Sequence, residues 1–216
     1  MQVKPKSSHQ RWIYIYAAFA LVATFWFYLH LAFKIQLVLL APGVISLAYV
    51  FPVLKGRKRI RDLHFIKIFL IAIVWAWITV FIPALLLEVH YQGFIYLMFL
   101  ERVLFIFAIT LPFDIRDLLL DEEQAVKTLP SILGITATRR LAAIVLSILV
   151  LLVSTNLYLG NYSIEQSIGI FISVIIAYAL IYFANPAKPD YYFTAYLDGT
   201  MVLQFGLVFL FTGGFY

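Results

Sequence analysis

The chain alternates between long apolar stretches and short polar ones. Seven stretches are long enough to cross a bilayer: approximately 11–33, 35–54, 64–87, 91–112, 140–159, 166–184 and 197–215. At about 1.5 Å per helical residue, some 20 residues cover the roughly 30 Å hydrocarbon layer. The apolar run after the basic N-terminal tail is longer than the roughly 7–15 residues of a signal-peptide core, so it reads as a retained first span. The first two spans are separated by little more than Lys34 and Gln36 and predict a tight helical hairpin. Pro42 and Gly43 fall inside the second span and Pro83 near the end of the third, breakers that a bundle tolerates when neighbouring groups take up the freed backbone. With no Gly/Ser-rich linker or internal repeat, residues 1–216 read as one all-α, polytopic integral membrane domain.

Composition sharpens this picture. The chain is 64% hydrophobic and 12% charged, against the roughly 25% charge of soluble domains. The absence of Cys excludes disulfides, thiolate metal sites and iron–sulfur clusters. The net charge of +5 is explained by sidedness rather than by nucleic acid. If the spans alternate, all of the 16 basic residues except Lys34 and Arg102 fall on one side or its loops. That side is expected to be cytoplasmic, with the N-terminus inside a cell inner membrane and Tyr216 on the opposite face.

Candidate chemistry gathers in the central cytoplasmic loop, 113–139. Asp114, Asp117, Asp121, Glu122 and Glu123 follow directly on the fourth span. One Asp at the bilayer centre costs about 2.5–3.5 kcal/mol, so three would cost roughly 7–10 kcal/mol and must lie at the interface or in a wet cavity. Asp114, Asp117 and Asp121 are spaced i, i+3, i+7, which on a continuing helix puts them on one face. Two readings stand side by side. One is a solvated cluster balanced by Lys127, Arg139 and Arg140. The other is a Mg²⁺ site, since Mg²⁺ takes one or two carboxylates together with substrate phosphates.

The surrounding residues carry a resemblance. Asp114-Ile115-Arg116-Asp117, then Asp121, then Thr128-Leu129-Pro130-Ser131-Ile132-Leu133-Gly134 resembles the second aspartate-rich motif of the UbiA-type prenyltransferase superfamily. Tyr49-Val50-Phe51-Pro52-Val53-Leu54-Lys55, followed by Arg57, Lys58 and Arg59, is similar to that family's tyrosine, proline and basic segment, with a longer Tyr-to-Lys spacing than many members have. The resemblance implies a helical bundle that transfers a polyprenyl group from its diphosphate to an acceptor, often aromatic. It implies Asp114, Asp117 and Asp121 as Mg²⁺ ligands, and Lys55, Arg57, Lys58 and Arg59 as contacts to the diphosphate.

The departure from the family pattern is equally specific. That pattern has nine spans, with an N-D-x-x-D motif after the second, whereas this chain has no Asp or Glu before Asp62. Lys4-Pro5-Lys6-Ser7-Ser8 resembles the stretch that usually follows the first motif. The expectation is a chain that starts just downstream of it, as a truncated reading frame, a fragment completed by a partner chain, or a member that no longer catalyses. Rival readings are a non-catalytic membrane subunit or lipid-binding protein, and a small transporter or channel with Glu101 and Arg102 on its path. Those two lie mid-span and each needs a partner or a role. His9, His30, His64 and His90 lack metal-ligand spacing, and Asp190 and Asp198 read as ordinary acids of an interfacial tyrosine belt.

Overall fold

The structure is a computed structural model describing residues 8–52, 65–89, 92–123 and 126–214. Among them every regular element is helical. The long helices are α1 (Ser8–His30), α2 (Phe33–Val50), α3 (Ile66–Leu86), α4 (Gln92–Arg116), α7 (Ile135–Tyr158), α8 (Ile164–Phe183) and α9 (Tyr192–Phe211). Two short helices, α5 (Leu118–Glu123) and α6 (Leu129–Leu133), lie between α4 and α7. All seven long helices are apolar and long enough to span a bilayer, so the chain is an all-α polytopic bundle of an integral membrane protein.

The chain divides into two compact units, Met1–Ala41 and Pro42–Tyr216. In the first, Gln36 stitches the turn of the hairpin. Its side-chain amide donates to the carbonyl of Leu29 in the last turn of α1 and to that of Leu31 just beyond it, at 3.2 and 2.9 Å. The Tyr28 hydroxyl returns a bond to the Gln36 carbonyl at 3.2 Å.

In the second unit α4 is the central helix. Its apolar residues Phe105, Ile109, Leu111 and Ile115 are almost fully buried. Phe105, Ile109 and Leu111 pack in one core with Ala72 and Ile68 of α3, and with Ala142, Leu146, Leu149 and Val153 of α7. The helical spacing of the α7 set gives that helix one continuous buried stripe. Helices α8 and α9 approach through small residues. A methyl group added at Gly169 would meet the Val208 backbone nitrogen at 2.9 Å, and Ser173 and Ala177 continue the same buried face. Such faces let membrane helices gain dispersion contact where lipid offers no hydrophobic driving force.

Three boundaries differ from the sequence expectation. Helix α4 continues through Pro112 to Arg116. Proline forfeits one backbone bond, but Phe113 and Ile115 keep the buried stripe going, and the Thr110 hydroxyl donates to the Ile106 carbonyl in the turn before. The expected loop 113–139 is therefore largely helical. Helix α7 begins at Ile135, earlier than expected, because Gly134 takes φ 79° and resets the chain after α6. Helix α9 opens with a π turn, Tyr192–Leu197, before its regular part from Asp198. A second π turn, Trp77–Phe81, precedes Pro83 in α3, where the ring and missing N–H interrupt the ladder.

Candidate functional site

At the N-terminal turn of α3, the Lys67 ammonium reaches across to two acids of the motif. Nζ lies 2.7 Å from Asp114 Oδ1 and 3.2 Å from Asp121 Oδ2. The continuing helix explains why both acids arrive at one point. The Asp117 N–H donates to the Phe113 carbonyl at 2.9 Å and the Asp121 N–H to the Asp117 carbonyl at 2.8 Å, so helical bonding runs on across the turn between α4 and α5. Residues seven apart then fall on nearly the same face. Asp114 and Asp121 are both buried, so neither charge is left to bulk water.

Asp117 goes elsewhere. Its carboxylate accepts two bonds from the neighbouring Arg116, Nε to Oδ1 at 2.8 Å and a terminal nitrogen to Oδ2 at 3.2 Å. Arg116 also donates to Asp190 at 3.2 Å and lies over the rings of Phe113 and Phe193, 5.1 and 5.5 Å from their centroids. Of the three carboxylates, the structure brings two together and turns the third to the side.

A hard dication takes oxygen donors, commonly one or two carboxylates with phosphate and water completing the sphere. Asp114 and Asp121 fit that requirement, because both already aim at one cationic centre, the Lys67 ammonium. Asp117 does not, and among the described residues no three His, Cys, Asp or Glu side chains converge. Lys55, Arg57, Lys58 and Arg59 lie outside the described residues. Arg139, read from sequence as a partner for the acids, instead donates to the Ala184 carbonyl and ties α7 to the end of α8. Sequence reasoning counted Lys67 with the basic loop. Its position inside an apolar helix was the available signal, since a charge there requires a partner.

Beside this cluster a cleft of about 580 Å³ runs between α3, α4 and α9. Ile71 and Trp75 line it one and two turns beyond Lys67, and Phe113 and Thr110 line it next to Asp114. Its other wall is the π turn of α9 with Asp198, Gly199 and Met201. Asp198, expected in an interfacial belt, therefore faces a cavity.

Glu101 and Arg102 occupy the other half of α4, about 18–20 Å along the axis from Asp114. Glu101 accepts from Asn156 Nδ2 at 2.6 Å and from the Tyr162 hydroxyl at 2.7 Å. Burial, and after it the adjacent Glu101 carboxylate, push the Tyr162 phenol well above its ordinary value, so it stays a donor. Arg102 donates to Gln204 Oε1 at 2.5 Å. No family model, curated protein or solved structure matches the chain. What fold and site define is a class, a polytopic helical membrane protein with a paired-carboxylate cluster beside an apolar cleft.

Proposed function

We propose that this chain is a UbiA-type membrane prenyltransferase component that engages a polyprenyl diphosphate at the Asp114–Lys67–Asp121 end of the bundle, with Mg²⁺. The observation that carries the reading is the convergence of Asp114 and Asp121, from an i, i+7 pair of the D-x-x-D-x-x-x-D motif, on a single cationic centre. Bound there, Mg²⁺ supplies charge neutralisation of the departing diphosphate. Lys67, displaced from between Asp114 and Asp121 when the metal binds, would turn its ammonium to the diphosphate oxygens. In the transfer the allylic C–O bond breaks, diphosphate leaves with the electron pair, and the prenyl carbon bonds to an acceptor that gives up a proton. The cleft lined by Ile71, Trp75, Phe113 and Met201 is mostly apolar, and its residues are sequence neighbours of Lys67 and Asp114 on α3 and α4, which supports a lipid substrate.

The cluster lies on the cytoplasmic side in this reading, with the N-terminus inside a cell inner membrane, which the sidedness of the basic residues supports. The test is Mg²⁺-dependent release of diphosphate from geranyl or longer prenyl diphosphates in liposomes. Turnover that is abolished by Asp114→Asn and by Asp121→Asn supports the proposal. Turnover indifferent to both changes refutes it.

A second reading is favoured by one observation. Lys67 sits where the dication would sit, and an internal ammonium neutralises the acids without metal. In that reading the chain is a non-catalytic subunit that binds lipid. Metal-independent binding of a prenyl diphosphate, with no release of diphosphate, distinguishes it.

A further inference from the structure

In the half of the membrane away from the acidic motif, a cavity of about 240 Å³ lies among α4, α7, α8 and α9. Its walls are mostly apolar, including Met98, Phe105, Leu149, Val153 and Ile170, and Arg102 and Glu101 line it from α4. These two charges make no salt bridge with one another. Both oxygens of Glu101 are taken by Asn156 and Tyr162, and Asn156 in turn accepts from Asn161 at 2.9 Å. On the other side Arg102 donates once to Gln204, whose amide donates to the Ser173 hydroxyl at 3.1 Å. The Ser173 hydroxyl donates to the Ile170 carbonyl at 2.7 Å. Among the described residues the Arg102 guanidinium, which carries five N–H groups, makes the one hydrogen bond to Gln204, so the other N–H groups are left to the cavity. Among the described residues Arg102 forms no ion pair.

A guanidinium inside a membrane span, with spare donors lining a cavity, requires an acceptor. We infer that this cavity binds a short aliphatic monocarboxylate, its head paired with Arg102 and its tail against Met98, Leu149 and Val153. The planar fork of the guanidinium matches a carboxylate through two parallel bonds. A phosphate dianion fits less well, because the Glu101 carboxylate lines the same cavity and Arg102 is the one cation lining it among the described residues. Size sets the chain length. A volume of about 240 Å³ favours a short chain over a full-length fatty acid, and octanoate represents that class. The site is independent of the proposed transferase function, because it shares no residue with the Asp114 cluster or its cleft.

The experiment is calorimetric titration of the full chain, in neutral maltoside micelles, with octanoate, octanol and acetate. Saturable binding of octanoate, with none of octanol or acetate, is expected. Arg102→Gln should weaken octanoate binding about tenfold or more. Met98→Trp, which fills the cavity and leaves the charged groups alone, should abolish it, so the inference stays open to refutation if the arginine variant does not fold. Equal uptake of octanol, or octanoate binding unchanged in Met98→Trp, overturns the inference.

Discussion

Lys67 and Asp114 meet across the interface of α3 and α4 at 2.7 Å, and the same ammonium holds Asp121 at 3.2 Å. One cation thus keeps two buried carboxylates together at the end of the bundle. Removing one partner of such a cluster leaves an uncompensated charge, which costs about 3–5 kcal/mol. Lys67→Met should therefore lower stability by about that amount in detergent unfolding. Millimolar Mg²⁺ should restore most of the loss by taking the vacated position. The restoration should disappear in Lys67→Met/Asp121→Asn. A loss of stability that Mg²⁺ does not touch would count against a metal site between these acids.

The cleft next to the acids makes a prediction about chain length. A side chain added at Gly199 meets nothing within 4 Å and would project from a wall of the cleft. Gly199→Trp should leave the binding of geranyl diphosphate within about twofold and weaken that of a geranylgeranyl homologue tenfold or more, on the scale of a few lost apolar contacts. Competition binding with the two diphosphates measures the ratio. Equal losses for both would place the tail elsewhere.

The seven spans were legible because bilayer length and apolar composition are local properties, and the proline and glycine breakers did not change the count. Ends were harder. Pro112 marks a stop in the sequence, yet the buried stripe of Phe113 and Ile115 carries α4 past it. The shared face of Asp114 and Asp121 followed from spacing, whereas the departure of Asp117 depended on which neighbour captured it, Arg116 and not Lys67. Partners distant in sequence were invisible. Lys67 lies 54 positions from Asp121, and Glu101 lies 55 and 61 positions from Asn156 and Tyr162. No periodicity encodes such pairs, and only the need of a mid-span charge for a partner announces them.

Tyr162 gives a prediction in the alkaline range. Its phenol is held protonated by burial and by the Glu101 carboxylate, whereas in the unfolded chain it titrates near its ordinary value of about 10. A folded value above the unfolded one means a contribution to stability that is complete below about pH 10 and declines as pH rises beyond it. Tyr162→Phe should lower stability by about 1 kcal/mol at neutral pH through the lost bond to Glu101. The variant should also be less sensitive to pH above 10 than the native chain. Parallel alkaline slopes for the two proteins would refute the role given to Tyr162.

Gly169 tests the packing that places α9 against α8. A β-carbon there would press on the Val208 backbone at 2.9 Å, a contact that no side-chain rotation relieves. Gly169→Val should cost about 1–3 kcal/mol as an overpacked interface. Gly206→Ala, where a β-carbon meets nothing within 4 Å, should be near neutral. Thermal unfolding in the same detergent separates the two.

The most direct measurement is the affinity of a non-hydrolysable prenyl thiolodiphosphate for the native chain in nanodiscs, with and without Mg²⁺, beside Asp114→Asn and Asp121→Asn. Expected is binding that strengthens at least tenfold with Mg²⁺ and loses that gain in both variants, as two charge-assisted metal contacts require. Binding that ignores both Mg²⁺ and the two substitutions would contradict a diphosphate site at the Asp114–Lys67–Asp121 cluster.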